Sequence, residues 1–102
     1  MIEEVHDIEE FKSLVKEGCR LRYQVLAKPN LFHGVLIGME LELHIYGIAR
    51  EGHILKFTKY RVLRNNNMKT AEEFQNEDVN KVIEEFEKLA ESIGATKGRY
   101  YE

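Results

Sequence analysis

The chain has one cysteine, one proline and no tryptophan. With Cys19 alone, no intrachain disulfide can form, and a reducing compartment is the simpler expectation. No uninterrupted apolar stretch approaches the ~18 residues that a membrane-spanning helix needs. The first residues, Met1 to Asp7, lack the basic start and apolar run of a secretory leader, so a cytoplasmic location is expected. Neither sign of charge dominates: Lys+Arg 15 against Asp+Glu 18 leaves a net charge of −3. That balance excludes a whole-protein attraction to nucleic acid or anionic membrane. His6, His33, His44 and His53 share no HxxxH or HExxH spacing, and a metal site needs at least three convergent ligands, so no metal or cofactor is expected.

What remains is a chain of 102 residues, 43% hydrophobic and 32% charged. This composition describes one globular domain spanning 1–102, large enough for a single core. The abundance of Glu and Lys with two Gln points toward a thermophilic source, while six Asn point away from it.

Asp7 and Glu10 form an N-cap pair, followed by Ile8, Phe11, Leu14 and Val15 at helical spacing, with Gly18 as the stop. From Cys19 the period becomes two, with Leu21, Tyr23 and Val25 on one side and Arg20, Arg22 and Gln24 on the other. Lys28-Pro29-Asn30 interrupts the strand pattern, which resumes at Gly34. Odd positions from Val35 to Ile45 then form one apolar face, with a bend or bulge expected at Gly38 or Gly47 because the strand is unusually long.

The turn Arg50-Glu51-Gly52-His53 folds this strand onto Ile54–Leu63. If Glu51-Gly52 is a two-residue loop, Leu43 pairs with Tyr60 and Leu41 with Val62. On the other face Glu42 then meets Arg61, His44 meets Lys59, Tyr46 meets Phe57 and Ile48 meets Leu55. Asn65-Asn66-Asn67 closes the strand as a left-handed turn. Thr70 with Glu73 is a second capping box, opening a helical stripe through Val79, Val82, Phe86 and Ala90 to Gly94, with a break near Asn76. The tail from Thr96 to Glu102 reads either as a short edge strand or as a free end.

The expected fold is therefore α+β: an N-terminal helix, a three-stranded antiparallel meander and a C-terminal helix, both helices on one sheet face. The other face has two expected characters. Arg20, Arg22, Lys59 and Arg61 flank Glu40 and Glu42 in a ladder of alternating charge, which reads better as ordinary cross-strand pairing than as a phosphate platform. Nearer the turn, Tyr46, Ile48, Leu55 and Phe57 form an apolar cluster that water should not be left to cover. The loop Asn30–His33 and the tail residues Tyr100 and Tyr101 are candidate covers, and a second copy of the chain is the favoured one.

Other chemistry is sparse. Glu42 and His44 share a face and could serve as an acid–base or ligand pair, although such pairs are more often structural. Cys19 follows a helix C-terminus, which disfavours thiolate. Lys97 and Arg99, beside Tyr100 and Tyr101, give the tail a mixed basic and aromatic character of the kind found in RNA-binding segments. The helix–three strands–helix order resembles the double-stranded-RNA-binding domain, a family that reads phosphates with lysines at the start of its second helix. The matching stretch here, Asn67-Met68-Lys69-Thr70-Ala71-Glu72-Glu73, holds one lysine followed by two glutamates. The order also resembles helix-plus-curved-sheet folds of the cystatin type, which hold ligands or form dimers. The expected function is a non-enzymatic interaction or assembly module that homodimerises through its sheet. The alternatives are a nucleic-acid-associated protein using Arg20, Arg22, Lys59, Arg61, Lys97 and Arg99, or a small-ligand binder.

Overall fold

The computed structural model of the chain describes residues 1–99. Its elements run β1 (Ile2–Val5), α1 (Ile8–Leu14), β2 (Arg22–Phe32), β3 (Val35–Ile48), β4 (Ile54–Arg64), α2 (Ala71–Phe74), a π-helical segment (Gln75–Val79), α3 (Asn80–Ser92) and β5 (Thr96–Lys97). The strands make one sheet in the order β1-β4-β3-β2-β5. β2, β3 and β4 pair antiparallel, while β1 is parallel to β4 and β5 parallel to β2. The expected three-stranded antiparallel meander is thus corrected to a five-stranded mixed sheet. The added strands are short and outermost. Ile2-Glu3-Glu4-Val5 has acidic residues at both middle positions, so it carries no period-two signal, and its partner lies far along the chain.

The helices cover one face. Beneath them Leu41, Leu43 and Ile45 of β3 are fully buried, with Tyr23 of β2 and Leu55 and Phe57 of β4 beside them. Phe11 of α1 packs edge-on against Phe57, ring centroids 6.2 Å apart. Val5 of β1 registers with Phe57 and joins the same core. Phe74, Val79, Val82, Phe86 and Ala90 supply the layer from the C-terminal helix. At the edge of that layer the Tyr23 hydroxyl donates to Glu91 Oε2 at 3.3 Å. Burial, and then the charges of Glu87 and Glu91, hold its phenol above the ordinary tyrosine pKa.

Local competition sets several boundaries. Asp7 accepts from the Glu9 amide and starts α1, but the helix ends at Leu14 rather than near Glu17. Val15 has already turned into the sheet, bridging Ala49, and the Lys16 amide donates to Ile48 O at 2.7 Å. Thr70 and Glu73 do form the capping box, and their hydrogen bonds hold the Glu73 carboxyl below its ordinary pKa. The break expected near Asn76 is instead a π-helical segment, which keeps the helix continuous from Ala71 to Ser92. β2 runs through Pro29 without interruption. Beyond Tyr23 it is an outer strand, where a residue lacking an N–H need cost no ladder bond.

The register of β3 on β4 differs from the expected one by a single residue. Ile48 pairs with Ile54, Tyr46 with Lys56, His44 with Thr58, Glu42 with Tyr60 and Glu40 with Val62. The cause is the turn. Ala49 N donates to His53 O at 2.8 Å and Gly52 N donates to Ala49 O at 2.9 Å, so Arg50, Glu51 and Gly52 form a three-residue loop. Only Gly52 is left-handed there, with φ 100°. A two-residue loop of the type favoured in hairpins would have required positive φ at Glu51 as well. The β2–β3 hairpin does use that geometry: His33 and Gly34 have φ 49° and 77°.

The bulge expected on β3 occurs beside Gly38. Asn30 pairs with Gly38, but Leu31 pairs with Leu36, so Ile37 is the extra residue. A bulge interrupts alternation. Leu36 packs against the core, whereas Val35 and Ile37, expected on the covered face, are exposed. A Cβ at position 38 would collide with the backbone carbonyl of Leu63, so only glycine permits β4 to approach there.

Candidate functional site

The long strands extend past the helix layer. The molecule measures 47 × 24 × 22 Å with a radius of gyration of 15.6 Å, against ~13 Å for a compact chain of this length. Two regions result. The near end is the β3–β4 turn, backed by β1 and α1. The far end is the β2–β3 hairpin tip together with the last residues of β4.

The corrected register divides the apolar cluster expected at the near end. Tyr46 and Ile48 lie on the open face, but Leu55 and Phe57 lie on the helix face and are 0% and 2% exposed. They are core residues. Lys56 takes the place expected for Phe57, its Nζ 5.8 Å from the centre of the Tyr46 ring. The loop residues Asn30 to His33, expected to cover this cluster, stand at the opposite end of the sheet. Tyr100 and Tyr101 lie outside the described residues.

The charge ladder is likewise redistributed. Arg22 registers with Tyr46 and donates to Thr96 Oγ1 at 2.7 Å, well away from Glu40 and Glu42. Lys59 and Arg61 register with Leu43 and Leu41 on the helix face, where Arg61 pairs with Glu85 at 3.3 Å. Arg20 is exposed ahead of β2. Lys97 pairs with Glu87, and Arg99 shares a concavity with Gln24 and Tyr46. The six basic candidates therefore form no single platform. Lys69, the lysine at the position of the phosphate-reading cluster, contacts Asp78 at 2.8 Å and Glu77 at 3.1 Å. Hydrogen bonds to those two carboxylates raise its pKa.

His44 and Glu42 do meet, with His44 Nε2 3.4 Å from Glu42 Oε1. The imidazole is 8% exposed, flanked across the sheet by Thr58 and Gln24 and edge-on to Tyr46. Such a ring is positioned and hydrogen-bonded but offers little access to a substrate. A closer pair went unread in the sequence: His53 Nε2 lies 2.6 Å from Glu3 Oε1, tying the near turn to β1. Among the described residues, no three His, Cys, Asp or Glu side chains gather as a metal would require. Cys19 is half-buried, its Sγ 3.9 Å from Ile48 O.

The far end is where large apolar side chains meet water. Leu31 and Phe32 are each 62% exposed and Met68 68%, with Val35, Ile37 and Val62 close to half exposed. Ile37, Val62 and Met68 line a shallow groove of about 520 Å³ together with Gly38 and Asn65. Leu26 and Tyr60 continue the strip on the open face, where the Tyr60 hydroxyl donates to Glu40 and its phenol is held above the ordinary tyrosine pKa by that bond.

Asn65 supports this end from within. It is buried, its Nδ2 donates to Leu36 O at 3.0 Å and Lys69 O at 2.9 Å, and its Oδ1 accepts from Lys69 N at 3.0 Å. The left-handed residue of this loop is Met68, at φ 51°, rather than an asparagine. Compared with protein-family models, curated proteins and solved structures, the chain matches none of them. Among the described residues, no helix is long and apolar enough to cross a membrane.

Proposed function

We propose that this protein is a non-enzymatic interaction module that self-associates through the far end of its sheet. The observation that carries the reading is the apolar exposure gathered at this end of the sheet, Leu31, Phe32, Val35, Ile37, Val62 and Met68, of which Ile37, Val62 and Met68 line one groove. Their combined surface is on the order of 600 Å², at the top of the range for a monomer's largest patch. With Leu26 and Tyr60 it approaches the ~800 Å² that each partner contributes to a standard interface. A second copy suits it because a two-fold axis sets the same patch against itself. The paired β2–β3 hairpin and the Asn65 bonds hold the backbone of this end in place, which lowers the ordering cost of association. A reducing cytoplasmic setting is consistent with the one free cysteine.

Analytical ultracentrifugation over a concentration series tests this. The wild type should sediment as a dimer at tens of micromolar, and Phe32→Asp should sediment as a folded monomer. A wild-type monomer throughout that range rejects the proposal.

A further inference from the structure

A second feature lies on the side of the sheet rather than on its face. β1 covers the outer edge of β4 only from Ile54 to Phe57 and then departs into α1. From Thr58 to Arg64, β4 is paired with β3 alone among the described residues. Alternate backbone N–H and C=O groups of such a stretch point outward with no partner, a ready template for another strand. Its side chains read Lys59, Tyr60, Arg61, Val62 and Arg64, all exposed.

We infer that the Thr58–Arg64 edge of β4 accepts an extended acidic segment of a partner protein as an added strand. Three observations support the inference. The edge already takes an acidic strand: Glu3 and Glu4 of β1 register with Leu55 and Lys56 immediately upstream. The vacant stretch is more basic than the occupied one, and among the described residues Lys59 and Arg64 make no ion pair, whereas Arg61 is held by Glu85. At the point where β1 leaves, a concavity of about 430 Å³ opens with Ile8, Phe57 and Leu89 in its lining, suited to an apolar residue at the head of the incoming strand.

The other open edge makes the contrast. β5 covers β2 only at Arg22 and Tyr23, but the remainder of β2 carries Lys28 and Pro29, and a proline interrupts any added ladder. A polypeptide is favoured over nucleic acid at β4 because only another strand both donates to and accepts from an edge's amides. In register, acidic residues would fall beside Lys59 and apolar ones beside Tyr60 and Val62.

The probe is a short synthetic peptide alternating glutamate with valine, read by hydrogen exchange and by titration against the full chain. Binding should protect amides between Thr58 and Arg64, leave those between Gln24 and Asn30 unchanged, and weaken with added salt. Lys59→Glu combined with Arg61→Glu, on the side of the strand that the glutamates would share, should weaken binding about tenfold, and a lysine–valine peptide should restore it. Because the edge is separate from the apolar tip, Phe32→Asp should bind the peptide as the wild type does. Loss of binding in Phe32→Asp would move the site to the far-end patch. Equal binding of an uncharged threonine–valine peptide, protection elsewhere, or a single-stranded RNA oligonucleotide displacing the peptide would each overturn the inference. Should the double variant unfold, the salt dependence and exchange map of the wild type decide the matter.

Discussion

The two ends of the long β3 strand are built from similar residues and have opposite fates. At the near end Ile45, Leu55 and Phe57 are sealed beneath α1 and flanked by β1, and the turn is tied down by the His53–Glu3 contact. At the far end Phe32, Val35 and Ile37 are just as apolar, yet they stay exposed, uncovered by any helix of the described residues. Hydrophobicity alone therefore does not decide burial here; the reach of the covering layer does. A β-strand advances ~3.3 Å per residue and a helix ~1.5 Å, so a fourteen-residue strand outruns a helix of similar residue count. Surface left over at the end of a core is where a partner can substitute for a missing layer.

The sharpest way to break this comparison is to truncate one aromatic at each end. Phe57→Ala should destabilise the fold by about 3–5 kcal/mol, the range for emptying a filled aromatic site. Phe32→Ala should change monomer stability by less than about 0.5 kcal/mol, because its ring is already solvated. Urea unfolding at a concentration where the chain is monomeric reads both. Comparable losses would mean that the far end is packed within a single copy. Repeating the measurement at high concentration should make Phe32→Ala costly as well, since association then contributes to stability.

The far end still needs an internal anchor, and Asn65 is that anchor. Asn65→Ala removes three hydrogen bonds and leaves Leu36 O and both backbone groups of Lys69 to find other partners. The expected loss is about 2 kcal/mol, reduced from the full penalty because Leu36 and Lys69 are only partly buried. Amide exchange should accelerate first at Ile37, Asn65 and Lys69, while Leu43 and Ile45 stay protected. Uniform acceleration across both ends would show that the sheet has no separable far end.

How legible these ends were in the sequence depended on which local signal was unambiguous. The helical stripe from Val79 to Ala90, the Thr70–Glu73 capping box and the alternation through Leu41, Leu43 and Ile45 could be read directly, because each repeats one period or one pairing. β1 could not: Ile2-Glu3-Glu4-Val5 has no alternation, and parallel pairing with β4 is a tertiary outcome. The register failed for a narrower reason. Both candidate alignments sort charged and apolar residues acceptably, because Lys59 and Arg61 can reach solvent from the helix face around the edge of β4, so patterning could not choose between them. The turn could have chosen, since Glu51 is a poor residue for positive φ. That one-residue difference sent Leu55 and Phe57 into the core and hid the true patch, for the Ile37 bulge also reverses which of Val35, Leu36 and Ile37 is buried. Asn65 was read as turn chemistry when its amide is in fact a buried staple.

The smallest expected effect concerns the turn that sets this register. Gly52 is the only left-handed residue of its loop, and a Cβ there meets nothing within 4 Å, so the cost of Gly52→Ala is purely conformational. It should be about 1 kcal/mol, the ordinary penalty for holding a side-chain-bearing residue in that region. Glu51, whose φ is not positive, should accept alanine with little change. Were the loop instead the two-residue kind, glycine or asparagine at position 51 would stabilise the hairpin by removing a strained glutamate. Thermal unfolding of Gly52→Ala, Glu51→Ala and Glu51→Gly separates the two turns, and with them the two registers. A stabilising Glu51→Gly would return Phe57 to the open face and remove the contrast between the ends. A destabilising or neutral Glu51→Gly, beside a costly Gly52→Ala, keeps the near end sealed and leaves the far end as the surface that still lacks a cover.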